Sequence, residues 1–146
     1  MRLMISEVLQ KAHNAKTKAQ KIKILQDNNS PGLRSVFIMN FDESLEARVP
    51  LGEDVPYRKN EAPKGTEHTL LEKEAVKLYR FFKGGDDTLP NMKVENMFIQ
   101  MLEGLHADEA EVVIKAVNKT LHKKYRITHA VVKEAFPSIQ WGDRGR

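Results

Sequence analysis

Apolar residues return three and four positions apart along most of this chain, a rhythm that fits helices and little else. Leu3, Ile5, Val8, Leu9 and Ala12 mark a first helix, and the polar stretch from Asn14 to Lys16 interrupts it. A second is expected over 16–27, where apolar and basic positions alternate. Asn28-Asn29-Ser30-Pro31 then reads as a stop followed by a start, with Ser30 as N-cap and Pro31 in the first helical position. Leu33, Val36, Phe37 and Met39 give the third helix its apolar face. Thr69 opens a fourth, carrying Leu71, Val76, Leu78, Phe81 and Phe82, which Gly84-Gly85 closes. Met92, Val94, Met97, Phe98, Met101, Leu102 and Leu105 form the most apolar helix. His106 and Ala107 make a short turn. Asp108 is the expected next N-cap, with Glu111 three residues later as in a capping box. Val113, Ile114, Val117 and Leu121 continue that helix, so residues 95–121 predict two antiparallel neighbours joined by a tight link. Thr128 caps a last helix that Pro137 ends.

The rhythm fails over 41–68. That stretch holds Pro50, Pro56 and Pro63 and is locally acidic, with seven Asp or Glu against four Lys or Arg. We expect an ordered but irregular crossing, anchored by Val49-Pro50-Leu51 and Tyr57. The predicted class is all-α, a single compact domain over 1–140 of six or seven helices, followed by a frayed tail at 141–146.

At 146 residues the chain is long enough for one core without covalent staples. It has no cysteine, which removes disulfides, thiol catalysis and cysteine zinc sites together. The first residues form no signal-peptide core, and no apolar run approaches the roughly 20 residues that span a bilayer. A cytoplasmic protein is expected.

Charge is sorted rather than scattered. The 24 basic and 20 acidic residues nearly balance, yet no acid lies between Glu111 and Glu134, nor between Glu7 and Asp27. The first of these runs carries Lys115, Lys119, His122, Lys123, Lys124, Arg126, His129 and Lys133; the second carries Lys11, His13, Lys16, Lys18, Lys21 and Lys23. Segregated positive charge points to a polyanion, nucleic acid first. The bland alternative is a solvated face with cations complementing a helix C-terminus. Tyr125, set among basic residues, offers a ring that could stack on a sugar or base.

Other chemistry finds less support. Glu103 and His106 have the Glu-x-x-His spacing of di-iron bundles, but in one copy, and His106 falls in a turn. His122 and His129 have no acid nearby in sequence to complete a metal shell. The serines lack a Gly-x-Ser-x-Gly context, and Gly84-Gly85-Asp86-Asp87 carries too many carboxylates to cradle phosphate. Asp42-Glu43 and Glu53-Asp54 read as solvated loop acids. Met92, Met97 and Met101 are core-spaced, and Phe81, Phe82 and Phe98 read as core. We expect no catalytic residue, metal, cofactor or small-molecule substrate.

The order of elements resembles a known family. Ile5-Ser-Glu-Val-Leu9 is followed by Thr17-Lys18-Ala-Gln-Lys21-Ile22-Lys-Ile-Leu25, an Asn-rich link at Asp27-Asn28-Asn29, and an apolar helix opening Leu33-Arg34-Ser-Val36. Later come an acid-rich turn at Asp108-Glu109, the run Glu111-Val-Val-Ile-Lys-Ala-Val-Asn-Lys119, and a closing Phe136-Pro137. This plan resembles the N-terminal helical DNA-binding domain of the ATP-dependent DNA ligases of T4-like bacteriophages. The adenylation motif Lys-x-Asp-Gly is absent, so the resemblance implies a free-standing, non-catalytic phage module that grips duplex backbone without reading sequence. Carried over by position, it implies contacts at Lys16, Lys18, Lys21 and Lys23 and along Lys119, His122, Lys123, Lys124, Tyr125 and Arg126. The two basic runs would then have to lie side by side. The competing expectation is a phage adaptor that binds a host or replication protein, through the acidic loop or a patch around Met92 to Met101.

Overall fold

The computed structural model of the chain describes residues 3–42, 44, 45, 48, 57, 71–74, 78, 81, 82, 88, 90–139 and 141. Its helices are α1 (Ile5–Asn14), α2 (Lys18–Asp27), α3 (Pro31–Phe41), α4 (Leu71–Glu74), α5 (Asn91–Gly104), α6 (Ala107–Val117), α7 (Leu121–Lys124) and α8 (His129–Ala135). Among the described residues there is no strand, and the protein is all-α. No helix among them is long and apolar enough to cross a membrane.

Local sequence sets most helix starts. Ser30 Oγ accepts the Leu33 N–H at 3.1 Å, with Pro31 in the first helical position. Thr128 Oγ1 does the same for Val131 at 3.3 Å. At α2 the cap is Thr17, not a residue further upstream. Its hydroxyl accepts the Gln20 N–H at 3.2 Å, and Gln20 Oε1 takes the N–H groups of Lys16 and Thr17 in return. Each such cap stabilises its helix by about 1 kcal/mol. The expectation for Asp108 is corrected. α6 begins at Ala107, and His106 is its N-cap, with Nδ1 accepting the Asp108 N–H at 3.1 Å. Glu111, freed from a capping role, pairs with Lys124 at 2.7 Å.

α6 occupies the middle of the molecule, packed by α1, α3, α5 and α7, while α2 lies between α1 and α8. A helix with neighbours on most sides must be apolar around most of its circumference. Accordingly Ala110, Val112, Val113, Ile114, Ala116 and Val117 are all buried. One core cluster gathers Leu9, Leu25, Phe37, Phe98, Val113 and Val132, so α1, α2, α3, α5, α6 and α8 share it.

α6 does not run on to Leu121 as its periodicity suggests. It stops at Val117, where the Lys119 N–H bonds to Ala116 O at 3.1 Å and the Thr120 N–H to Lys115 O at 2.8 Å. This is the Schellman pattern, which needs a left-handed residue just past the helix, and Lys119 supplies it with φ 59°. Leu121 then starts the single turn α7.

Phe81, Phe82 and Phe98 are core, as expected, and Met97 and Met101 pack partly buried against it. Met92 is the correction among the methionines, standing 75% exposed at the first turn of α5. Most of the 41–68 crossing, including Val49-Pro50-Leu51, lies outside the described residues, as do Thr69, Gly84 and Gly85. Within it, Tyr57 packs against the core, and the Arg48 N–H bonds to Phe81 O at 2.7 Å. Of the tail, Trp141 packs partly buried against the core. Its indole meets the His129 ring edge-on at 4.4 Å; 142–146 lie outside the described residues.

Candidate nucleic-acid interface

The two acid-free runs meet at Arg126. Its N–H donates to His13 Nδ1 at 3.0 Å, and its carbonyl accepts from Lys21 Nζ. One peptide unit on each side of a single residue is thus held by two different helices. His13 accepts at Nδ1, which places the proton of its neutral ring on Nε2. The same ring stands edge-on to Tyr125, with centroids 6.3 Å apart and planes 82° apart.

Polar contacts extend the seam along α2 and α8. Lys18 Nζ lies 2.7 Å from Glu134 Oε1, and Gln26 Nε2 donates to Ala135 O at 3.2 Å. Only Leu25 of α2 is fully buried, so hydrophobic burial alone anchors this helix weakly. The bonds to Arg126, Glu134 and Ala135 fix which way its lysines face. The Lys18–Glu134 pair is exposed on both sides and holds by under about 1 kcal/mol, weak enough for an incoming phosphate to replace the carboxylate.

The ten expected contact residues divide into three groups. Lys16, Lys18, Lys23, Lys123 and Arg126 are exposed, and Lys18 and Lys21 reach the seam through Glu134 and Arg126, while Lys23 lies more than 90° round α2 from both. Among the described residues no acid pairs with Lys16, Lys23, Lys123 or Arg126. Lys133 on α8 is exposed too; its place in the acid-free run was the available signal.

The second group is turned to structural work. Lys119 Nζ donates to Met39 O at 2.9 Å and to Asp42 O at 2.7 Å, so its charge caps the C-terminus of α3 rather than facing solvent. Lys124 is paired with Glu111 and sits 5.3 Å from the Tyr125 ring centroid.

The third group is aromatic. Tyr125 is buried, which corrects the expectation of a stacking face. Burial first, and then the charges of Glu111, Asp108 and Glu109, push its phenol up to about 12. His122 is exposed, and its ring sits 5.7 Å from that of Phe41. Asn40 approaches it at 3.4 Å while accepting the Leu121 N–H at 2.9 Å.

Sequence reasoning missed Glu109, which is 1% exposed although it stands in an acid-rich turn. Its carboxylate accepts the Ile5 N–H at 3.1 Å and the Ser6 N–H at 2.7 Å, so it caps α1 from across the molecule. Burial raises its pKa, more than the hydrogen bonds from Ser6 and Ile5 lower it, and the Glu7 charge raises it further.

Among the described residues no three His, Asp or Glu side chains gather to hold a metal ion. What the seam offers chemically is a set of cations spaced over three helices and a turn, suited to pairing with phosphates. No curated protein matches the chain, and no solved structure does. A family model spans the chain from the middle of α1 to α7: over residues 8–123 it belongs to a family of unknown function, DUF6433.

Proposed function

We propose that this protein is a non-catalytic DNA-binding accessory protein that grips duplex backbone without strong sequence preference. The observation that carries the reading is the pair of hydrogen bonds at Arg126, its N–H donating to His13 and its carbonyl accepting from Lys21, which brings two separately encoded basic runs to one seam. Lys16, Lys18, Lys23, Lys123, Arg126 and Lys133 would pair with phosphates, and none of them reads base identity in that role. The ligase-like plan of the sequence requires this adjacency of the two runs, and a phage origin follows from the same resemblance. For the alternative, an adaptor that binds a host or replication protein, Met92 is the favouring observation, since it leaves an apolar side chain in solvent.

Fluorescence anisotropy with duplexes of unrelated sequence tests the proposal. Each phosphate contact contributes about −0.9 to the slope of log K against log salt, so four to six contacts give roughly −4 to −5. The double variant Lys123→Glu, Arg126→Glu weakens binding to every sequence alike, by about tenfold or more at low salt. Absence of binding to duplex, nicked and single-stranded DNA at low salt would sink the proposal. A discrete protein that co-purifies after nuclease treatment would favour the adaptor.

A further inference from the structure

A groove of about 470 Å³ runs along α1 beside the seam. One wall is Leu3 with a stripe of α1 at helical spacing, Ser6, Gln10 and Asn14; the other is Asp108 with Lys124 and Tyr125. The groove ends where Asn14 adjoins His13 and Tyr125 adjoins Arg126, so it opens beside the residues that join the basic runs. Its own charges cancel, Lys11 and Lys124 against Glu7 and Asp108. A cationic seam bordering a neutral, hydrogen-bonding groove of this size matches the two halves of a nucleotide, phosphate outside and base with sugar inside.

One detail of the lining points the same way. Gln10 Nε2 donates to Asn14 Oδ1 at 3.1 Å, which leaves Gln10 Oε1 as an acceptor and Asn14 Nδ2 as a donor side by side. That is the amide pattern that complements the edge of a base.

We infer that this groove receives one unpaired nucleoside unit of a DNA strand whose phosphates lie on the neighbouring cations. The inference rests on the DNA-binding reading above. A free nucleotide with several phosphates would bring its charge against Glu7 and Asp108, so the strand-borne unit is the occupant that fits.

The test compares a matched duplex, the same duplex with a single-nucleotide bulge, and free adenosine, each titrated into the full chain and into the double variant Gln10→Leu, Asn14→Leu. Both positions are exposed, and leucine keeps their bulk while removing the amides. The wild type should bind the bulged duplex about tenfold more tightly than the matched one. The variant should lose that preference and keep its matched-duplex affinity, which also shows that it folds. Equal affinity of the wild type for the two duplexes overturns the inference and leaves the DNA-binding reading standing. A preference that survives in the variant overturns it as well, because the amides then do not carry it. Variant-sensitive saturation by free adenosine, without a bulge preference, overturns the strand-borne occupant. Loss of all DNA binding in the wild type overturns both readings together.

Discussion

Glu109 is a carboxylate in a place where an amide or an alkyl group is ordinarily found. It survives there because the first two N–H groups of α1 point at it and the helix end carries partial positive charge. Truncation to alanine leaves two buried donors unpaired and should cost about 3 kcal/mol, read from urea unfolding at neutral pH. The pH dependence has a definite sign. The folded-state pKa is raised, so the stability tied to the protonated form is complete below the unfolded value. It is lost as pH rises through the folded one. Parallel urea melts should show that decline in the wild type and its absence in Glu109→Gln, which cannot ionise. The helical wheel contained a hint of this burial. Glu109 lies one turn before Val113 and two before Ala116, on the stripe that faces the core. Residue type argued for the surface and periodicity for the interior. Periodicity prevailed because the partner N–H groups come from residues more than a hundred positions away, which no local window contains.

The end of α6 shows how one residue can serve two helices. Glycine suits the left-handed position of a Schellman ending, and lysine there costs about 1 kcal/mol by comparison. Lysine brings a compensation that glycine lacks, since Nζ holds the carbonyls of Met39 and Asp42 where α3 ends. Thermal or chemical denaturation should rank three proteins accordingly. Lys119→Ala keeps the backbone cost and loses both bonds, destabilising by about 2 kcal/mol. Lys119→Gly recovers roughly half of that, and the wild type remains the most stable. The rank of the glycine variant against the wild type is the discriminating result, because a lysine that served only as surface charge would make glycine better than the wild type. At this scale the sequence was most readable where both partners of a bond sit within one turn, as at Ser30 with Leu33 or Thr128 with Val131. It was least readable at Lys119 and Tyr125. Basic spacing marked both as surface, but Lys119 is claimed by carbonyls of α3, and contacts with the other helices close over the Tyr125 ring.

Across the whole molecule, α1 and α2 are joined to the last helix and its preceding turn by polar bonds as well as by the shared core. Removing the His13 acceptor should therefore open that joint locally. In His13→Ala, hydrogen exchange at the Arg126 amide should accelerate about tenfold, while the amides of α6 keep their protection. Equal acceleration in α6 would mean that the joint is part of global stability and not a separable contact. Helical class and the approximate helix positions could be read from periodicity alone. Segregated charge also identified both halves of the seam, but their meeting depended on tertiary packing. The bonds that join them connect residues separated by 105 to 116 positions in the chain. This separation has a consequence during synthesis. At about 5–20 residues per second, on the order of ten seconds pass between the emergence of Lys21 and that of Arg126. For that interval the nascent chain displays its first lysines with nothing to orient them, and the assembled surface belongs only to a chain whose last helix has left the ribosome.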